Sequence, residues 1–296
     1  MSAVIVVGDL VTDVLVEHEG PIQAGSDTAA AIRVGGGGQA ANTAAWLAHA
    51  GREVILVAAV GDDPAGRDRV AELETAGVRC AVQVVPGVAT GSVVVLTGAD
   101  ERTMITDRGA SLRLTPEHVT AVVEGAPSGT HLHLSGYPLL HEGSRAAGLA
   151  ALAAAARRGI TVSVDAASAA PLRDVGGSVF LAWVREADLL LANADESEVL
   201  AAAPASPDGR ARELLAHVRN AVVKRGSRGA VWAGRDGSLV TGGAESVPVK
   251  DPTGAGDAFA AGLLIAWLAG SGPAAALAAG AALGAAAVQR IGARPA

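Results

Sequence analysis

The sequence predicts an α/β protein with a mostly parallel central sheet covered on both faces and a small β-sheet lid. Short β-rich runs alternate with helix-length Ala-rich segments: AVIVVG, AANTAAWLAHAG, EVILVAAVG, AGRDRVAELETAG, THLHLSG, SRAAGLAALAAAARRG, ITVSVDA and DLLLANADE. Strand, helix, strand, helix is the pattern of parallel strands joined by crossover helices. Helix boundaries agree, since Gly51, Gly77 and Gly159 each follow a helical pattern where a C-terminal glycine belongs, and Thr115-Pro116 starts a helix.

Two segments break the alternation. TDVLVEHEGPI with DTAAAIRVG reads as one hairpin, and TGSVVVLTGADERTMITDRGA as a second with its turn near Gly98-Ala99-Asp100. Neither has a covering helix, so segments of about 11–34 and 89–109 are expected to form a separate lid sheet within one domain spanning 1–296. In open α/β sheets, ligands bind beyond the carboxyl ends of the strands, where a lid is useful. From Ala258 to Gln289 no residue is charged, which is long enough to suggest a membrane span. AGSGPAAA interrupts the run, and two buried helices are expected instead. AAAPASPDG, residues 201–209, reads as a surface loop.

The chain has 296 residues, half of them apolar, and can bury a sizeable core. A net charge of -7 lacks the basic footprint that binds nucleic acid or anionic lipid. A lone Cys80 makes neither a disulfide nor a cysteine metal cluster, and MSAVIVVGDL has no basic leader, so the expected location is the cytoplasm.

The stretch VKDPTGAGDAFAAGLL sets Gly254, Ala255 and Gly256 at the start of an apolar helix, where unpaired N–H groups and the helix dipole form an anion socket. Asp257 in that socket has two readings. It is a favourable acid in a first helical turn, or it takes the proton of an attacking hydroxyl while the amides hold a transferring phosphoryl group. The cluster GGGGQAANTA contains Gly36-x-Gly38-x-x-Ala41, a loose dinucleotide fingerprint, but about thirty residues of hairpin separate it from the opening strand. No G-x-x-x-x-G-K-[ST] occurs. The cluster suits either close backbone approach to a ligand, with Asn42 facing hydroxyls, or a tight turn into a helix. Asp9 and Asp13 follow the first strand, where carboxylates suit a polyol and are also ordinary loop residues. His131 and His133, with no third ligand nearby in sequence, read as core histidines, and Trp46, Trp183, Trp232 and Trp267 as packing.

With GGQAANTA, Gly51, Gly61 and DPTGAGDAF in this order and spacing, the whole chain resembles the ribokinase-like (PfkB) family of carbohydrate kinases. The resemblance implies a three-layer ribokinase-like fold, ATP and Mg²⁺, Asp257 as catalytic base, and Gly254, Ala255 and Gly256 as the anion hole. It assigns Asp9, Asp13, Gly37, Gly38 and Asn42 to sugar binding. Asn193 and Glu196 of NADE would lie near the ATP phosphates and, through water, Mg²⁺; a helix cap is the alternative. KRGSRG matches the nucleotide loop, with Lys224 at a phosphate and Gly226, Ser227 and Gly229 by the nucleoside. Asp251, Thr253, Ala287, Arg290 and Gly292 match monovalent-cation loops, with K⁺ as the candidate ion.

Ser135-Gly136 stands where ribokinases proper carry a glutamate, which points away from ribose. Arg102 and Arg108 lie on a lid strand; Arg108 falls near an arginine that similar 2-keto-3-deoxygluconate kinases use for a carboxylate, and a solvated lid face is the alternative for both. VVKRG is shared with that branch and with fructokinases. The expected activity is therefore phosphorylation of a monosaccharide or sugar acid, of fructose or 2-keto-3-deoxygluconate type over ribose. A nucleoside kinase, a nicotinamide oxidoreductase and a sugar-binding protein that lost catalysis are the competing readings. The apolar lid run SVVVL predicts a homodimer through the lids.

Overall fold

The computed structural model describes residues 3–97, 102–202 and 206–295. In chain order the first half runs β1 (Val4–Val7), β2 (Val11–His18), β3 (Ala30–Gly37), α1 (Gln39–His49), β4 (Val54–Gly61), α2 (Pro64–Thr75), β5 (Arg79–Val85), β6 (Thr90–Thr97), β7 (Arg102–Gly109), α3 (Pro116–Glu124), β8 (His131–Ser135), α4 (Tyr137–Leu140) and α5 (Glu142–Arg158). The second half runs β9 (Val162–Asp165), α6 (Ala169–Val175), α7 (Gly177–Trp183), β10 (Leu189–Asn193), α8 (Ala194–Leu200), α9 (Pro207–Leu214), β11 (Asn220–Lys224), β12 (Ala230–Gly234), β13 (Leu239–Gly242), α10 (Ala255–Leu268) and α11 (Pro273–Val288).

Among the described residues nine strands form the main sheet in the order β13-β12-β11-β10-β9-β8-β1-β4-β5, parallel except that β12 pairs antiparallel with both β11 and β13 at one edge. Both faces are buried, and the two-residue side-chain period divides each strand between them. Ile5 and Val7 join Ile55 and Val57 in a core with Val119, Val123, Ala147 and Ala151 of α3 and α5. Val4 and Val6 join Val54 and Leu56 in a second core with Ala41, Trp46, Leu264 and Leu277 of α1, α10 and α11. The result is the expected three layers.

Helix boundaries follow the sequence signals. Thr115 caps α3 by accepting from the His118 N–H at 3.3 Å, and Gly51, Gly77 and Gly159 have φ of 80°, 84° and 62°. The uncharged run 258–289 divides at Gly270 into α10 and α11, and among the described residues no helix is long and apolar enough to cross a membrane. Within 201–209 the expected loop is shorter than the sequence suggested, because Ser206 accepts from the Gly209 N–H at 3.2 Å and α9 begins at Pro207; residues 203–205 lie outside the described residues.

The two irregular segments build a four-stranded sheet, β3-β2-β6-β7. β2 pairs antiparallel with β3 and parallel with β6, and β6 antiparallel with β7. One face carries Val11, Leu15, Val93 and Val95 as a small core. By alternation Asp13 and Arg108 share that covered face, while Ile32, Val34, Val14, Val94 and Ile105 share the other. The turn expected at Gly98-Ala99-Asp100 lies outside the described residues.

The close crossing of α10 and α11 yields a test. A Cβ at Gly262 would lie 2.3 Å from the Ala279 carbonyl, whereas one at Gly284 would meet nothing nearer than 3.4 Å. Gly262→Ala should destabilise the fold by about 1 to 3 kcal/mol through overpacking. Gly284→Ala should be neutral or stabilising by up to about 1 kcal/mol, since alanine is the better helix former. Urea denaturation of the two variants measures both.

Candidate active site

The carboxyl ends of β1, β8, β9, β10 and β11 deliver Asp9, Ser135, Asp165, Asn193 and Lys224 toward one region, and α10 begins above them. The loop before α10 is folded by Asp251, whose carboxylate accepts from the Thr253 N–H at 2.8 Å and the Gly292 N–H at 2.9 Å. Gly254 then turns with φ of 76°, a conformation costly for an L side chain, and a Cβ there would lie 2.5 Å from the Ala293 carbonyl. No side chain caps α10, so its first-turn amides face along the helix axis toward the strand ends. Ala255 and Gly256 belong to that turn; a Cβ at Gly256 would meet only Lys224 Nζ, at 3.6 Å.

Asp257, in the same turn, accepts at Oδ2 from Asn42 Nδ2 at 2.9 Å. Burial pushes its carboxyl up to about 8; the Asn42 hydrogen bond opposes this, Asp165 adds repulsion, Lys224 opposes, and Asp9 adds a smaller repulsion. Asn42 does not cap α1, as a tight turn into a helix allowed; it lies inside the helix, buried.

Toward β11, Lys224 Nζ donates to Asp165 Oδ2 at 2.6 Å. Asp165, Glu196 and Asp257 hold the ammonium charged, raising it despite burial, which acts in the other direction. Asp165 Oδ1 accepts from Gln39 Nε2 at 3.0 Å, and Gln39 Oε1 accepts from Ser135 Oγ at 2.5 Å. A side chain at Gly136 would meet the Asp165 carbonyl at 2.7 Å, so a glutamate there has no room. Asn193 and Glu196 form the capping box of α8: Glu196 accepts from the Asn193 N–H and Nδ2, each at 2.7 Å, and Asn193 Oδ1 accepts from the Glu196 N–H at 2.9 Å. Burial, reinforced by Asp165, raises the Glu196 carboxyl. The following turn carries Gly226 (φ 58°), Ser227 and Gly229 (φ 79°). Gly226 is open, while a Cβ at Gly229 would collide with the Gly242 carbonyl.

On the lid side, the Asp13 carboxylate lies against Gly37, where any Cβ would overlap it, and Gly38 (φ 100°) lets the chain pass 2.5 Å from the Asp9 carbonyl, measured to an added Cβ. Asp9 accepts from the Ala40 N–H at 3.3 Å and from Arg108 Nη1 at 3.0 Å. Arg108 is not on a solvated face: its side chain is 11% exposed and its guanidinium lies 3.8 Å over the Tyr137 ring. Arg108 shares its face of β7 with Met104 and Thr106, which are exposed, and is covered because it lies at the end of β7 that reaches Asp9 and Tyr137. β7 begins at Arg102, whose side chain lies outside the described residues.

The sequence reading missed Gln39, Asp165, Tyr137 and Arg294. Asp165 ends a buried strand and was open to detection by the same strand-end argument as Asp9; the others are recognisable only in three dimensions. The two loops matched to a monovalent cation are joined by the Gly292 N–H, which donates to the Asp251 carboxylate, and Thr253 is buried. Ala287 O accepts from the Arg290 N–H at 3.1 Å. His131 and His133 are buried core residues bonded to Ser163 Oγ at 2.7 and 2.8 Å. Of the tryptophans, Trp46 also donates to the Ala293 carbonyl at 2.9 Å.

The donor set fits a polyphosphate. An uncapped helix N-terminus, an ammonium held charged beside it, and the open Gly226 turn suit anionic oxygens, and the buried Glu196 and Asp165 are hard oxygen groups of the kind Mg²⁺ and its waters favour.

Comparison with known proteins agrees with this chemistry. The chain is 33% identical over 239 residues to an ATP-dependent ribose-1-phosphate kinase of Halopiger xanaduensis, covering 80% of this chain and 74% of that protein. It is 29% identical over 246 residues to a 2-dehydro-3-deoxygluconokinase of Thermoproteus tenax, with the same two shares. The fold matches that of the Arabidopsis thaliana ribokinase complexed with ribose and ATP, with a TM-score of 0.81 at 24% identity over 99% of this chain and 95% of that one. The model of the pfkB family carbohydrate kinases matches residues 1–296, and the chain belongs to that family.

Proposed function

We propose that the protein transfers the γ-phosphoryl group of ATP, with Mg²⁺, to a hydroxyl of a monosaccharide or sugar acid, with Asp257 as the base. The observation carrying this reading is the half-buried Asp257 carboxylate, bonded to Asn42 and set in the uncapped first turn of α10 beside Lys224. When bound, ATP supplies the phosphoryl group and Mg²⁺ neutralises its charge. Asp257 Oδ accepts the acceptor hydroxyl's proton. The first-turn amides of α10 and Lys224 bind phosphate oxygens. Asn42, Asp13 and the Gly37-Gly38 turn orient sugar hydroxyls. Lys224, Gly226, Ser227 and Gly229 would hold the nucleotide, and Asn193 and Glu196 would support Mg²⁺ through its waters. The loops of Asp251, Thr253, Ala287, Arg290 and Gly292 suit K⁺ and steady the start of α10.

The missing space at Gly136 argues against ribose recognition through a glutamate, and the buried Arg108 favours an acceptor with an anionic group. The two relatives named above act on a sugar phosphate and a sugar acid, which supports the same preference. We assign the enzyme to the cytoplasm.

A panel of 2-keto-3-deoxygluconate, fructose, ribose, ribose 1-phosphate and adenosine, assayed with Mg-ATP, tests the reaction class and acceptor. ADP release should require an acceptor and be fastest with an anionic sugar; preference for adenosine would install the nucleoside reading instead. Asp257→Asn should lower kcat by about 10² to 10⁴ while leaving ATP affinity unchanged or slightly higher. Near-normal turnover would falsify the mechanism.

The acidic limb of kcat/KM should have its midpoint near pH 8, with activity rising with pH as Asp257 ionises. Stability should move oppositely. The folded value lies above the unfolded value of 3.8, so the contribution of Asp257 is fully present below about pH 4 and is lost as pH rises through about 8. Denaturation of the unliganded protein across this window should show a decline that Asp257→Asn makes shallower.

We also propose a homodimer through the lids. Ile32, Val34 and Ile105 are 64%, 65% and 58% exposed on the uncovered lid face, a contiguous apolar surface of the kind a second copy covers. Light scattering at micromolar concentration should give twice the chain mass, and Val34→Glu should halve it; a single-chain mass for the unaltered protein overturns this.

A further inference from the structure

Asn42 sits between two groups of opposite hydrogen-bonding character. On one side Asp257 accepts from Nδ2 at 2.9 Å, and on the other Arg294 Nε donates to Oδ1 at 3.2 Å. Guanidinium has donors only, so it accepts one of the two amide orientations and rejects the other. The rejected orientation matters: a flipped Asn42 would turn Oδ1 toward Asp257 and accept a hydrogen bond from its neutral carboxyl, stabilising the form that cannot act as a base. We propose that Arg294 is a positioning residue that locks the Asn42 amide donor-first toward Asp257 and thereby keeps the base ionisable.

The guanidinium is braced for this role. Nη2 donates to the Gly37 carbonyl at 2.9 Å and Nη1 pairs with Glu72 Oε2 at 3.3 Å, leaving the side chain 13% exposed. Glu72 also pairs with Arg69, which donates to the Gly35 carbonyl at 3.2 Å, so one carboxylate steadies two arginines against the same glycine strand. The backbone beneath is fixed as well: Trp46 Nε1 bonds the Ala293 carbonyl, and Ala293 packs on Gly254 at the start of α10. Burial lowers the Arg294 guanidinium only to about 10, so it remains charged at neutral pH. The segment after α11 is therefore tied both to the start of the catalytic helix and to the amide that faces the carboxylate.

This inference rests on Asp257 as the base. Arg294→Met keeps the aliphatic stem and removes the donor. The acidic limb of kcat/KM should shift upward by about one pH unit, in line with the loss of one hydrogen bond to the charged form. Activity near pH 7 should then fall about tenfold, while activity near pH 9 and the KM for ATP stay within about twofold. Arg294→Lys, which retains a donor, should recover part of the shift. On an Asn42→Ala background, Arg294→Met should produce no further shift, because its effect passes through the amide. A carboxyl ¹³C NMR titration of the unliganded protein should show Asp257 moving in the same direction. Should Arg294→Met prove too unstable, Glu72→Gln, which loosens the brace alone, should give a smaller shift of the same sign. A uniform loss at every pH, an unmoved limb, or an additive effect without Asn42 overturns the proposal. Loss of turnover in Asp257→Asn with an unmoved limb in Arg294→Met would reject Arg294 alone, whereas an active Asp257→Asn would reject the base itself.

Discussion

The structure of this site depends on keeping a carboxylate in a place that disfavours its charge. Asp257 is drawn out of water, and its neighbours Asp165 and Asp9 add repulsion. What offsets this is local: the Asn42 amide, the Lys224 ammonium and the start of α10. Each of these supports comes from a different element, so α1, β11 and α10 must be held in register for the carboxylate to ionise. The large two-faced core does that work. Val4 and Val6 pack on the side of α1 and α10, while Ile5 and Val7 pack on the opposite helices, so the strand ends cannot shift relative to α10 without disturbing both cores.

Charges across the site alternate rather than accumulate. Asp165 lies between Gln39 and Lys224, Glu196 is folded into its own capping box, and Asp9 is paired with Arg108. A buried carboxylate without such a partner would be expelled or neutralised. The Asp9, Asp165 and Glu196 carboxylates are thus each partnered within the protein, and the amides of α10 and the open Gly226 turn offer themselves to anionic oxygens.

Much of this was legible in the sequence because it rests on short-range chemistry. The alternation of AVIVVG-type runs with Ala-rich segments gave the parallel sheet, the glycines at 51, 77 and 159 gave helix ends, and GAGD gave the helix N-terminus with its acid. The capping box of Asn193 and Glu196 was likewise visible as an alternative reading. Arg108 was harder: TMITDRG alternates polar residues onto both faces, so nothing local reveals that the arginine is buried against Tyr137. Gln39 and Arg294 were illegible for a stronger reason. Their partners lie 126 and 252 positions away, at Asp165 and Asn42, and only the folded chain brings them together.

The Arg108 to Asp9 pair joins the lid sheet directly to the first strand of the body. It works as a latch made of opposite charges. Opening it in a half-dry cleft leaves a guanidinium and a carboxylate each without its counterion, a state far less favourable there than in bulk water. An incoming molecule that parts them must therefore serve as a replacement counterion to one and a hydrogen-bond donor to the other. The hydroxylated, negatively charged acceptor proposed above is a molecule that would meet both demands at once.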